Sequence, residues 1–206
     1  MFLRQPTPRR TATSLGQQTR AVVCCDQREA HRVCVWKLIR QESSSRQTTM
    51  TLMHNLVFRD ATIDDVPQII DMYADDVLGQ NREAPSDPPH SDYLKAFAAI
   101  EADQRSHLIV AEYNGEIVGT LQLTFISHLV LRGGERAQIE AVRIRQDHRG
   151  QGLGESMISW AIEKAKFHKC RMVQLTTNSE RVDSINFYKK LGFKASHIGM
   201  KLDLEI

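Results

Sequence analysis

Hydrophobic positions along the chain recur at two periods, and the switches between them mark out the elements. Leu56-Val57-Phe58 predicts a first strand. Thr62-x-x-Asp65 has the form of a capping box, and Val66, Ile69, Ile70 and Tyr73 then recur at helical spacing, which predicts a first helix with those residues on its apolar face. Residues 79–92, rich in Pro, Ser and Asp, read as a loop. A second helix is predicted over Tyr93–Asp103, burying Leu94, Phe97, Ala98 and Ile100. His107–Tyr113 alternates as a strand, Asn114-Gly115 is a two-residue hairpin signal, and Glu116–Phe125 returns antiparallel. Leu129–Glu135 makes a further connection that turns at Gly133-Gly134.

The stretch Gln138–Lys166 carries most of the information. Ile139, Ala141, Val142 and Ile144 stand among polar residues as a strand, Arg149-Gly150-Gln151-Gly152-Leu153-Gly154 forms a glycine-rich turn, and an amphipathic helix follows. Leu153, Met157, Ala161 and Ala165 make one row of that helix, with Ile158 and Ile162 beside it, so this face belongs to the core. Val173–Thr176 is the next strand, and a helix joining two strands predicts that they run parallel. Arg181–Leu191 is a last helix, stopped by Gly192, and His197–Leu204 alternates as a closing antiparallel edge strand. The fold class expected is α/β (α+β): a mixed, mostly antiparallel central sheet of six to seven strands with helices on both faces.

Charge divides the chain. Residues 1–49 hold nine Lys/Arg against three Asp/Glu, whereas 50–206 hold eighteen against twenty-two, so the net +2 hides a basic segment joined to a mildly acidic domain. The domain, expected over 51–206, lacks the positive footprint that nucleic-acid binding needs, and no apolar run is long enough to cross a bilayer. Residues 1–50 are expected to be a basic, disordered extension. Arg4, Arg9, Arg10 and Arg20 without any acid overlap with the composition of organellar transit peptides. A flexible tail, or a natural start at Met50 or Met53, is the plainer reading, and a cytoplasmic location is expected. Cys24, Cys25 and Cys34 fall in the extension and Cys170 in the domain, with no spacing that suggests a disulfide framework or zinc site. His128, His148, His168 and His197 also lack ligand spacing, and no metal is assigned.

The first N–H groups of a helix lack backbone partners and lie at the positive end of its dipole, so the glycine turn is suited to a phosphate. A Walker loop would need Lys-Ser/Thr where this chain has Glu155-Ser156. A dinucleotide fingerprint would need Gly-x-Gly-x-x-Gly, whereas the spacing here is Gly150-x-Gly152-x-Gly154. What remains, Arg149-x-x-Gly152-x-Gly154, resembles the signature of the GNAT N-acetyltransferase superfamily. Ile139-Glu140 upstream and Phe187-Tyr188-Lys189-Lys190-Leu191-Gly192-Phe193 downstream extend the resemblance across most of the chain after residue 50.

That resemblance implies the acyl-CoA N-acyltransferase fold and acetyl-CoA as co-substrate. It places the diphosphate on the backbone amides of Arg149, Gly150, Gln151, Gly152, Leu153 and Gly154, with the Arg149 side chain adding charge. Main-chain groups of Val142, Arg143 and Ile144 would bond the pantetheine arm, an N–H near Val142 would polarise the thioester carbonyl, and Asn178 would bond the arm from the parallel strand. Arg181, three residues before Ser184, departs from the family's usual Asn and Ala there and leaves one arm contact in doubt. A primary ammonium with a pKa near 10.4 must lose a proton before it attacks, and Glu140 is the carboxylate expected to take it, its pKa raised by apolar neighbours. The alternative for Glu140 is a pairing with Arg136 or Arg143. Period two puts Glu140, Val142 and Ile144 on one face unless a bulge intervenes. Tyr188, in the matched motif, is expected to protonate the departing thiolate.

Arg82, Glu83 and His90 are candidates to touch the acceptor. Ile139-Glu140 is similar to the corresponding strand of glucosamine-6-phosphate acetyltransferases. Thr177-Asn178, Arg181, Asp183 and Ser196-His197 resemble the tail of aminoalkylphosphonate acetyltransferases, which implies a small-molecule amine as partner, with neither nucleic acid nor membrane. A homodimer is an open arrangement. Protein acetylation at lysine or an N-terminus, and a CoA-binding regulatory module without turnover, are the alternatives.

Overall fold

The structure, a computed structural model, describes residues 55–75 and 82–204. The expected extension, the linker Ser43-Ser44-Ser45 and the first part of the 79–92 loop lie outside the described residues.

The elements follow in the order β1 (Leu56–Asp60), α1 (Val66–Ala74), α2 (Ser91–Ala102), β2 (Ser106–Tyr113), β3 (Glu116–Ile126), β4 (Arg136–Ile144), α3 (Leu153–Phe167), β5 (Met172–Leu175) and α4 (Val182–Lys190). The described strands form one five-stranded sheet in sequence order, antiparallel from β1 to β4 and parallel between β4 and β5. Asp65 starts α1: its carboxylate accepts from the Thr62 N–H at 2.7 Å and hydroxyl at 3.0 Å, and Arg59 of β1 reaches it at 2.6 Å. A single 3-10 turn, Ile63–Asp65, precedes the helix. Asn114 and Gly115 both take the left-handed conformation, φ 54° and 84°, which matches the hairpin turn to the twist of β2 and β3.

Alternation along the strands sorts two cores. On one face Ile109, Leu121, Leu123, Phe125, Ala137 and Ile139 meet Leu153, Met157, Ile158, Ala161 and Ala165 of α3, all buried. Each larger side chain contributes about 1.5–3 kcal/mol by leaving water. On the other face Ile69 and Met72 of α1 pack on Val110 and Ile117, and Val66 and Ile70 pack with Phe97 of α2. Ala98, expected inside, is exposed, because α2 rests on a narrow ridge led by Phe97 with Tyr93, Leu94 and Ile100 half-buried.

The connection expected over Leu129–Glu135 turns through Leu131, Arg132 and Gly133, left-handed at φ 54°, 60° and 72°. A further expectation is corrected. The strand expected over His197–Leu204 does not form, so the described sheet is smaller than the six to seven strands predicted. Gly199 lies beside Thr176, just beyond the end of β5: a Cβ there would stand 3.9 Å from Thr176 Cγ2. Ile198, Met200, Leu202 and Leu204 are accordingly 92, 93, 86 and 73% exposed. No described helix is long and apolar enough to cross a membrane.

Candidate functional site

The site forms where β4 leaves β5. Their pairing covers Arg136–Ile139 against Met172–Leu175 and then stops, so Glu140–Ile144 continue beside β3 without a β5 partner. A bulge sits in that stretch. Gln122 faces Glu140 and Thr120 faces Arg143, leaving Ala141 and Val142 opposite Leu121, and Ala141 adopts φ 52° to allow it. Glu140 therefore shares a face with Arg143. Val142 and Ile144 pack instead against the core beneath α3, which corrects the expected grouping of Glu140, Val142 and Ile144. Gly119 makes room for the crossing: a Cβ there would stand 2.8 Å from Ile144 Cδ1 and 3.0 Å from the Arg143 carbonyl.

Glu140 is exposed, and the apolar surroundings expected for it are absent: its neighbours on that face are Gln122, Gln138 and Arg143. It forms no ion pair with Arg136 or Arg143 among the described residues. Arg143 donates from Nη1 to the Val142 carbonyl at 2.8 Å, and its guanidinium lies 5.8 Å above the Tyr73 ring. Burial raises the Tyr73 phenol, against a hydrogen bond with Thr120 and the Arg143 charge.

Tyr188 is half-buried against the same core as Val142 and Ile144, edge-on to Phe187 at 5.1 Å and to Phe193 at 5.9 Å. Burial pushes its phenol up, with the Arg143 and Arg181 charges opposing. The net rise keeps it protonated at neutral pH. Gly192, at φ 93°, ends α4 and turns Phe193 back so that its N–H bonds the Tyr188 carbonyl at 3.1 Å.

The glycine turn lies at the far end of β4. Gly150 and Gly152 are left-handed, φ 75° and 82°, and Gly152 caps α3. The first helical bond runs from the Ser156 N–H to the Gly152 carbonyl, so the N–H groups of Leu153, Gly154 and Glu155 have no intrahelical acceptor. The Leu153 side chain is buried, and only its main chain can serve a ligand. Arg149 folds back, donating to the Ile144 carbonyl at 3.0 Å and to Asp75 at 3.1 Å. Gln151 donates to the Asp147 carbonyl at 3.1 Å. At the start of α4, the Asn178 carboxamide oxygen accepts from the Glu180 N–H at 2.9 Å, so its side-chain amide donor is what it can offer an arm.

Of the acceptor candidates, Glu83 accepts from the Tyr93 hydroxyl at 2.9 Å, His90 caps α2 through Asp92, and Arg82 is exposed. Tyr73, beside Arg143, and Arg136, on the strand face that carries Glu140, have no motif to mark them. A cleft of about 590 Å³ between α1 and the turn after β4 is bounded by Asp71, Asp75, Arg145 and Asp147 and includes neither Glu140 nor Tyr188.

Residues 68–193 match the model of the acetyltransferase (GNAT) family. An aminoalkylphosphonate N-acetyltransferase of Salmonella typhimurium is 34% identical over 105 residues, 51% of this chain and 68% of that protein. A glucosamine 6-phosphate N-acetyltransferase of Trypanosoma brucei brucei is 37% identical over 91 residues, 44% of this chain and 59% of that one. A crystal structure described as a transcriptional regulator from Bacillus halodurans C-125 superposes with a TM-score of 0.71 at 46% identity, covering 72% of this chain and 99% of that one. With the family match extending from α1 through the glycine turn to the end of α4, the chain belongs to the acetyltransferase (GNAT) family.

Proposed function

We propose that this acetyltransferase moves the acetyl group of acetyl-CoA directly to the primary amine of a small molecule. The observation that carries the reading is the bulge at Ala141, which turns Glu140 and Arg143 to one side at the point where β4 loses its β5 neighbour. Acetyl-CoA is the donor that this gap and the glycine turn suit. The N–H groups opening α3 hold its diphosphate, and Arg149 adds charge once it turns from Asp75. Main chain from Val142 to Ile144 takes the arm that lies in the gap, and an N–H near Val142 meets the thioester oxygen.

The amine reaches the sheet face as an ammonium beside Glu140, which removes a proton directly or through water. The nitrogen lone pair forms the new N–C bond as the C–S bond breaks, the departing sulfur takes the Tyr188 phenol proton, and the second proton that the nitrogen sheds on becoming an amide returns through water to the Tyr188 phenolate. The small-molecule reading draws on the two N-acetyltransferase relatives, whose named substrates are an aminoalkylphosphonate and glucosamine 6-phosphate. The name of the B. halodurans relative favours a second reading, a regulatory module that binds CoA without turnover.

Thiol release from acetyl-CoA, followed with the full chain over small amines, aminophosphonates, amino sugars and lysine peptides, separates the two. Amine-dependent release that falls in both Glu140→Gln and Tyr188→Phe supports transfer. Tight acetyl-CoA binding with no release from any acceptor supports the regulatory reading.

A further inference from the structure

Ala137 and Ile139 of β4 point into the core beneath α3, so Arg136, Gln138 and Glu140 occupy the opposite face. Register places Thr124 and Gln122 of β3 beside Gln138 and Glu140, and Gln174 of β5 on the other side of Gln138. This stretch of sheet thus carries amides and a hydroxyl around one carboxylate and one guanidinium. Gln138, between Arg136 and Glu140, is only 8% exposed although it is polar.

Arg136 is the unexplained member. It is half-buried, its Nε is fully buried without a hydrogen-bond partner, and it forms no ion pair among the described residues. A guanidinium offers five donors in a planar fork, and a buried donor left unmatched is costly, so a native structure calls for an explanation of it. The other guanidinium of this face, Arg143, already bonds the Val142 carbonyl and stacks on Tyr73. Arg136 and Glu140 lie four residues apart on one strand, roughly 13 Å between Cα atoms at ~3.3 Å per residue. Two long side chains narrow that span to the length of a small molecule with a cation at one end and an anion at the other.

We propose that Arg136 binds an acidic group of the acceptor, so that the substrate is a small zwitterion: a primary amine a few atoms from a carboxylate, phosphonate or phosphate. The ammonium goes to Glu140, the acidic group to the Arg136 fork, and the Gln138 amide bonds the atoms between. The inference rests on the acetyl-transfer reading for its choice of ammonium site, and Arg136 acts in it as a binding residue that sets specificity.

The test compares matched acceptors with the full chain: 2-aminoethylphosphonate and β-alanine carry an acidic group, and ethanolamine and propylamine do not. The ratio of kcat/KM for acid-bearing over neutral acceptors is measured in the wild type, Arg136→Gln and Arg136→Lys, with thermal melting to establish that each is folded. The expected result is a wild-type preference for an acid-bearing amine that falls roughly ten- to hundredfold in Arg136→Gln and recovers in part in Arg136→Lys. Phosphonate against carboxylate in the panel identifies which anion is taken. An unchanged ratio, with all acceptors losing alike, overturns the proposal. Calorimetric binding of 2-aminoethylphosphonate and β-alanine in the presence of CoA separates this from the underlying reading. Binding that Arg136→Gln abolishes, without turnover of any amine, upholds the anion site and removes acetyl transfer, whereas absence of both binding and turnover of the acid-bearing amines removes the anion site.

Discussion

Glu140 and Arg143 face the same side of the sheet although an odd number of positions separates them on one strand. Ala141, left-handed at φ 52°, supplies the extra residue that makes this so. A residue with a Cβ pays roughly 1–2 kcal/mol in that conformation, and a β-branched one more. Ala141→Val is expected to lower stability by about 2 kcal/mol and to reduce kcat, since keeping the bulge strains the backbone and flattening it turns Arg143 over. Ala141→Gly keeps the bulge and is expected to retain kcat with stability within about 1 kcal/mol. Urea unfolding and steady-state rates on the two variants check both.

Tyr188 is the proposed acid, and burial raises its phenol despite the Arg143 and Arg181 charges. Tyr188→Phe should reduce kcat by roughly 10²-fold while leaving acetyl-CoA binding near that of the wild type. The raised folded-state pKa fixes the sign of the pH effects. The proton-donating form persists past the ordinary tyrosine value, so its limb of kcat declines only above about pH 10. The associated stability is fully present below the unfolded value and is lost as pH rises through the folded one. A kcat–pH profile of wild type and Tyr188→Phe, with unfolding measured in parallel, tests this.

Asp65 is 6% exposed and joins β1 to α1 through Arg59, which also reaches Glu112 at 2.9 Å. Burial pushes the Asp65 carboxyl up, but hydrogen bonds from Arg59 and the Thr62 N–H outweigh it, and the net shift is downward. Stability from this group is present above the ordinary aspartate value near 3.9 and is lost as pH falls through the lower folded value. Asp65→Asn should cost about 2 kcal/mol at pH 7, discounted from a fully buried pair because Arg59 is partly solvated, and the difference from wild type should shrink toward pH 2. Urea unfolding at both pH values measures it.

The parts of the fold legible in the sequence are those whose signal is local. The Leu153-Met157-Ala161-Ala165 row, the Asn114-Gly115 hairpin and the Gly150/Gly152 turn each combine a period or a conformation with the residue types it demands. The bulge was not legible, because an alanine at positive φ leaves no mark in the sequence, and the face assignment of Val142 and Ile144 failed with it. The strand expected over His197–Leu204 fails for a different reason: alternation specifies which side of a strand is apolar but not that a ladder forms, and the segment leaves the outer edge of β5 unpaired among the described strands. Glu140 is a candidate through its place in a motif, whereas Arg136 carries no motif and stands out only through a buried Nε without a partner.

Base removal of an ammonium proton by Glu140 is the central claim, and kcat/KM for the amine across pH tests it most directly. With an alkylamine acceptor of pKa near 10, Glu140→Gln should fall roughly 10²-fold below wild type at pH 7, and the gap should close as pH approaches 10 and the amine deprotonates in solution. A deficit that stays constant over that range, or a variant as active as the wild type at pH 7, contradicts the account.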